Sequence, residues 1–429
     1  MKIGKISETV LKRSVLKQLT NRRNEVRLGA VPGEDCAVLA FESGEQTLVS
    51  TQSAEGWRME ASADREKEAA AGPQSDCVKE YAAVCAQGAA VSTGRDAVLY
   101  GLHRALNNIA AEGGKPVAVF LSLLLPPSFE ERGLKAMMVQ AEEVCAALGV
   151  QIAGGHTAVT DAVCRPAATV TAVGKAVPER ILPTGGARPG ADLVVTKWVA
   201  LEGTAVAVKE KEAELLKRFP AYLVEEAKGF DRYLSILPEA GIVSAAEAVS
   251  GGMAGAAGSE REAKASAAAG SEREGKASAA AEGVREGKAA DFAQAAGAYP
   301  PAFRVQAMTD VSEGGIFAAL WKLAEASGVG LEVDLKKLPI RQETVEICNF
   351  LDLNPYGLAS SGSLLIAAKD GAGLAGLLER NGIPACVVGR TTEGNDRILR
   401  NGEEKRFLEP GKPDERYRIG TASEQERPL

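Results

Sequence analysis

Only two histidines occur in this 429-residue chain, and aromatic residues make up just 5% of it. Scarce aromatics exclude the stacked-base platforms by which single-stranded nucleic acid is gripped. Positive charge is in deficit too: 50 Lys+Arg face 57 Asp+Glu, a net charge of −7, so no global basic field exists to attract nucleic acid. The seven cysteines are irregularly spaced and form no CxxC, which excludes a disulfide framework and a zinc knuckle. The longest apolar run, Val117 to Leu125, is too short to span a bilayer. The first residues, MKIGKISETVLKRSVLKQL, scatter charge where a secretory signal needs an apolar stretch. A protein of the cytoplasm, with no nucleic-acid partner and no membrane segment, is the expectation. Hydrophobic residues at 45% and charged residues at 25% suffice for two or three ordinary domains.

Two stretches differ in composition from the rest. One, about 57–94, is rich in Ala, Glu, Lys and Ser. The other, about 250–299, repeats with a period of 12: GSEREAKASAAA, GSEREGKASAAA, EGVREGKAADFA. With almost no large side chain to bury, both read as polar insertions. The remainder alternates helical and strand patterns. Leu134, Met137, Met138, Ala141, Cys145 and Leu148 follow a 3.6-residue period that predicts a helix over 129–148, stopped by Gly149. Helices are also expected over 8–20, 97–111, 203–217, 239–249 and 314–327. Strands are expected at 36–41, 47–51, 117–125, 151–153, 168–177, 187–197, 305–309, 329–333, 362–369 and 384–389. This is an α/β (α+β) chain in two halves: 1–177 with the insertion at about 57–94, then 178–400 with the insertion at about 250–299, and a tail over 401–429.

Four constellations can carry chemistry. Gly33-Glu34-Asp35 precedes a strand, where an acidic pair holds a hard cation or simply makes a turn. Gly154-Gly155-His156-Thr157 follows strand 151–153; two glycines let backbone N–H groups nest an anion, and His156 can contact a phosphate or carry a proton, while a plain turn explains the glycines equally well. Asp310, in Thr309-Asp310-Val311-Ser312-Glu313-Gly314-Gly315, stands at a strand end suited to a metal or ligand; helix capping accounts for Ser312 and Glu313. Asn107-Asn108 are poor helix formers within 97–111, marking either a ligand-facing helix end or a frayed surface. A fifth pattern, Gly371-Ala372-Gly373-Leu374-Ala375-Gly376, fits G-x-G-x-x-G and raises an NAD(P)-binding oxidoreductase as an alternative. No second mononucleotide unit follows it, however, and strand 384–389 ends in Gly389-Arg390 rather than a ribose-binding acid.

Taken in order, GEDCAV, NNIAAEGGKP, GGHT, ARPGADLVVTK, TDVSEGGI with SGVGLEVD, and SSGSLLIAA resemble the aminoimidazole ribonucleotide (AIR) synthase superfamily, the PurM-like group that includes HypE, thiamine-monophosphate kinase and selenophosphate synthetase. The resemblance covers roughly 1–56, 95–249 and 300–400. It implies a two-domain PurM-like fold, with an N-terminal mixed sheet whose helices and strands form a homodimer interface and a C-terminal α/β domain. It implies ATP and Mg²⁺ as cofactors and an activity that phosphorylates or activates a small-molecule substrate. Carried over by residue, Asp35, Asp310 and Asn108 are expected at the metal, Asn108 where the family has an Asp. Gly154, Gly155 and Thr157 are expected on the phosphate side, and His156 is the candidate proton carrier. Asn108 supplies no charge, so weaker metal binding is expected, and a non-catalytic nucleotide-binding or hydrogenase-maturation-like assembly factor is the alternative. A carbamoyl dehydratase needs a C-terminal cysteine; here the last cysteine is Cys386.

Overall fold

The computed structural model describes residues 26–28, 36–39, 82–91, 96–176, 181–251 and 303–419. The expected helix 8–20 and strand 47–51, the Gly33–Asp35 acidic turn and the repeat segment lie outside these residues.

The first half is a six-stranded mixed sheet. Its strands are β1 (Val26–Leu28), β2 (Cys36–Leu39), β3 (Ala82–Val91), β4 (Lys115–Leu125), β5 (Gln151–Val159) and β6 (Ala167–Ala176), in the spatial order β1-β2-β3-β6-β4-β5. Neighbours are antiparallel except the parallel pair β4 and β5. Alternation decides which face is covered. Val119, Leu121 and Leu123 of β4 and Ala168, Val170 and Ala172 of β6 are buried beneath helices α1 (Asp96–Ala111) and α2 (Glu131–Ala147). On the alternate positions Ser122 and Leu124 are exposed, and Val117 is exposed at the irregularity between Pro116 and Ala118. Met137, Ala141 and Cys145 form the buried stripe of α2, as the period predicts, and Gly149 follows with φ +66°.

The second half is a seven-stranded sheet of order β13-β12-β9-β11-β7-β10-β8. Its strands are β7 (Asp192–Thr196), β8 (Val305–Val311), β9 (Gly330–Asp334), β10 (Ser363–Ala368), β11 (Ala385–Thr392), β12 (Arg397–Asn401) and β13 (Glu404–Phe407). Both faces of its centre are covered, so β10 reads as continuous apolar sequence. Leu193, Val195 and Leu365 meet helix α6 (Gly315–Ser327), while Val194, Leu364 and Ile366 meet α5 (Leu237–Gly251) and α8 (Gly371–Arg380). Helices α3 (Leu201–Arg218), α4 (Ala221–Lys228) and α7 (Gln342–Phe350) make a further apolar cluster around Phe230. Ala110 and Ala111, at the end of α1, belong to the second half's core rather than the first's; the two halves share that helix.

Three expectations change. The polar insertion does not run to 94, because β3 occupies 82–91 and pairs with β6 over all ten residues; its alanines and single glycine hide a strand from composition. Part of the expected tail 401–429 belongs to the fold: β13 pairs with β12, and Leu408, Asp414 and Ile419 beyond it are buried. Strand 151–153 continues to Val159, straight through Gly154 and Gly155.

Candidate functional site

Helix α1 is the hinge of the site. Asp96 stands in its first turn, complementing the helix dipole, and Gly113 with φ +78° lets the backbone turn back so that the N–H groups of Gly113 and Gly114 return to Ala110 and Ile109. Between these ends the helix carries two stripes. Ala97, Val98, Leu102, Ala105, Leu106 and Ile109 join the first core. Tyr100, His103, Arg104, Asn107 and Asn108 recur at i, i+3, i+4, i+7 and i+8, and all five are buried. A buried polar stripe must find partners, and the second half supplies them.

The Tyr100 hydroxyl donates to Asp231 (3.2 Å), and Lys209 bonds Asp96 (2.9 Å), Tyr100 and Asp231 together. Arg104 pairs with the fully buried Glu202 of α3 through both Nε and Nη2. Asn107 donates to the Leu234 carbonyl (2.8 Å) and accepts from the Ile236 N–H (3.1 Å). The Asn108 amide, turned so that its nitrogen faces β8, donates to both carboxylate oxygens of Asp310 at 2.8 and 3.2 Å. Lys322 of α6 stands 3.9 Å from the same carboxylate and donates to Thr309 (2.8 Å). Two candidates from different domains are thus brought into direct contact.

His103 is the member of the stripe whose Nδ1 is buried without a hydrogen-bond partner. Burial, reinforced by the Lys197 ammonium and only partly offset by Glu202, lowers its pKa to about 4, so the imidazole is neutral at pH 7. Lys197, which itself has φ +51°, donates to the Tyr233 and Ser235 carbonyls and pairs with Glu239 at 2.7 Å. For Glu202, burial alone would raise the carboxyl, but Arg104, Arg416 and the Ser361 hydroxyl overcome it and hold the group below its ordinary value.

The other candidates are placed differently. Gly154, Gly155, His156 and Thr157 lie within β5 at the edge of the first sheet, so the expected phosphate-side loop is strand. A bulge shifts the register between Val119–Ile152 and Phe120–Gly154, and Gly155, at φ +150°, passes so close to β4 that a Cβ there would stand 1.9 Å from the Leu121 oxygen. Asn108 of α1 and Asp310 of β8 are joined directly, with Lys322 of α6 beside the carboxylate. Among the described residues no three His, Cys, Asp or Glu side chains converge as a metal site. The Asp310 carboxylate is met by an amide N–H and an ammonium, both donors. The described residues therefore do not fit Mg²⁺ on their own; Asp35, the other expected ligand, lies outside them.

The G-x-G-x-x-G pattern does begin helix α8, but two carboxylates already serve its N-terminus. Asp370 accepts from the Gly373 N–H (2.9 Å) and Asp192 from the Gly371 N–H (3.0 Å). The flanking strands β10 and β11 are parallel to each other but separated by β7, which runs antiparallel to both, so the adjacent parallel strands of a dinucleotide fold are not formed here.

Sequence comparison agrees with this architecture. The N-terminal domain of AIR synthase related proteins matches residues 74–176, and the C-terminal domain of the same family matches 234–400. The chain belongs to the AIR synthase related proteins. The family match begins before β3, in keeping with β3 as part of the domain. Over 90 residues this AIR synthase related protein is 39% identical to the carbamoyl dehydratase HypE of Rhodobacter capsulatus, covering 20% of this chain and 26% of that relative; it thus spans about a quarter of the relative's length. Its fold is shared with hydrogenase maturation protein HypE solved in complex with ATP (TM-score 0.53, 14% identity, 81% of this chain and 89% of the other). It is also shared with AaThiL complexed with AMPPCP and TMP (TM-score 0.56, 16% identity, 95% and 99%).

The stripe on α1 was legible only in part. The pair Asn107-Asn108 stands out by propensity, whereas Tyr100, His103 and Arg104 needed the same helical-period count applied to polar residues, and Glu202 and Arg416 carry no local signal at all.

Proposed function

We propose that this AIR synthase related protein is an ATP-using enzyme that phosphorylates or activates a small molecule, with the nucleotide seated where α1 meets β8. The observation that carries the reading is the polar stripe of α1, which joins Asn108 to Asp310 at the centre of the domain interface. The likeness to folds solved with ATP and with AMPPCP supports it. Chemistry of this kind rests on positioning and preorganised charge rather than on covalent steps. In this reading Asn108 orients the Asp310 carboxylate toward the ligand, and Lys322 balances its charge until the ligand arrives. Asp35 is the candidate contact for the magnesium that accompanies the nucleotide, and His156, on the edge strand β5, is the candidate proton carrier. The uncovered face of the first sheet, on which Leu124 is exposed, is the surface on which a second copy would dock to form a homodimer. Dependence on ATP fits a cytoplasmic setting.

Titration calorimetry with Mg–ATP tests the reading. Wild-type protein is expected to bind, and Asp310→Ala to weaken binding by about tenfold or more, the loss of a charge-assisted contact of roughly 1.5–3 kcal/mol. Equal isotherms would remove Asp310 from the site. A second reading, a nucleotide-binding assembly factor without turnover, is favoured by one feature: Asn108 leaves Asp310 as the single carboxylate of the pair. Binding of ATP with no ADP release over a panel of hydroxyl, carboxyl and carbamoyl substrates selects it.

A further inference from the structure

The family match ends at residue 400, yet the next nineteen residues reach into the interface. After β13 the chain is pinned by the Leu408 N–H bonding Arg397, and Asp414 is buried. Helix α6 is preceded by Gly314 at its N-cap, whose φ of +84° suits glycine and which brings no capping side chain. The Asp414 carboxylate supplies that cap from a distance, accepting from the Gly314 N–H (2.7 Å), the Ala359 N–H (3.4 Å) and its neighbour's Arg416 N–H (2.9 Å).

Arg416 follows, its side chain largely buried. One guanidinium nitrogen lies 3.5 Å from Glu202 and another 3.3 Å from Glu313. Tyr417 accepts from that guanidinium (3.0 Å) and donates to Glu313 (2.9 Å). Each carboxylate leads to one half of the Asn108–Asp310 contact. Glu202 holds Arg104, one helical turn before Asn108 on α1. Glu313 belongs to the turn that leaves β8, three residues after Asp310. A single guanidinium therefore braces both sides of the junction, and its planar fork, with separate nitrogens, is what allows two carboxylates to be reached at once.

The geometry points to Arg416 as a positioning residue of the interdomain site: it acts through Glu202 on Arg104 and α1, and through Glu313 on the Asp310 turn, making the C-terminal segment part of the site. That the contact so positioned serves a nucleotide rests on the function proposed above; the brace itself does not.

Hydrogen exchange and Mg–ATP calorimetry on the full chain test it, with Arg416→Ala, Arg416→Lys, Glu202→Gln and the Arg416→Ala/Glu202→Gln double variant. Arg416→Ala is expected to speed exchange in α1 around 104–111 and in the turn after Asp310, leaving α2 and β12 protected, and to raise the ATP dissociation constant about tenfold, within the range of coupling between linked sites. Arg416→Lys, which keeps the charge but not the fork, should fall between wild type and alanine in both readouts. The double variant should bind ATP more tightly than the product of the two single losses predicts, because both act along one route. Unchanged exchange in Arg416→Ala refutes the brace, as does multiplication of the two losses in the double variant. Should the alanine variant not fold, an Arg416→Lys protein matching wild type in both readouts refutes it equally. If wild type itself fails to bind ATP, the nucleotide reading falls while the exchange experiment still decides the brace.

Discussion

Acidification should loosen this protein through His103, and the size of the effect follows from its burial. The group is 5% exposed and its pKa is lowered to about 4 from an ordinary 6.5. A base depressed in the folded state binds fewer protons there than in the unfolded chain. Its contribution is therefore fully present above pH 6.5 and is lost as pH falls toward 4. The whole shift corresponds to about 3 kcal/mol, of which about 2 kcal/mol is lost between pH 7 and pH 5. The perturbation is His103→Gln, neutral at every pH and similar in length. Urea unfolding of wild type and variant at pH 7, 6 and 5 reads the difference in slope, so titrations common to both proteins cancel. Wild type should lose about 2 kcal/mol relative to the variant across that range. With only two histidines in the chain, their ring resonances can be followed directly by NMR. A His103 midpoint near 6.5, or parallel pH profiles for the two proteins, refutes the reasoning.

Asp414 should act with the opposite sign. Burial, partly offset by Arg416 and the Gly314 and Arg416 N–H groups, raises its carboxyl from 3.8 to about 6. The folded state then holds the proton more tightly, so this group's contribution becomes less favourable as pH rises from 4 past 6, and Asp414→Asn should remove about 1 kcal/mol of that decline between pH 5 and 7 in the same urea series; an unchanged slope would show the carboxylate to be better solvated than its setting requires. Gly155→Ala should cost at least about 2 kcal/mol, since a Cβ would meet the Leu121 oxygen in a backbone conformation that alanine resists. Its thermal midpoint reads this, and a wild-type midpoint would mean that β5 does not run against β4 as described.

Much of the fold is present in local pattern. The apolar periods of α2, β4 and β10 locate those elements within a few residues, because each buries a face whose spacing is set by helix or strand geometry. β3 has no such pattern, because alanine and glycine carry little hydrophobic signal, and it is held by ten residues of pairing with β6. The short α4 and α7 and the strand pair β12–β13 likewise carry little local signal: they are stabilised by what they pack against. The GGHT glycines suggest a loop because glycine commonly turns chains; here a close strand-to-strand approach demands glycine.

The order of short motifs pointed to the AIR synthase family, which the family match bears out, to a two-part α/β chain, and to Asn108 and Asp310 as residues worth watching. That these two touch, that Glu202 and Arg416 brace them, and that residues beyond 400 belong to the interface were decided by tertiary structure alone. The reason is physical. Helical and strand periods record which face of one element is buried, whereas an ion pair between buried side chains depends on the approach of segments far apart in the chain, and no local pattern encodes that approach.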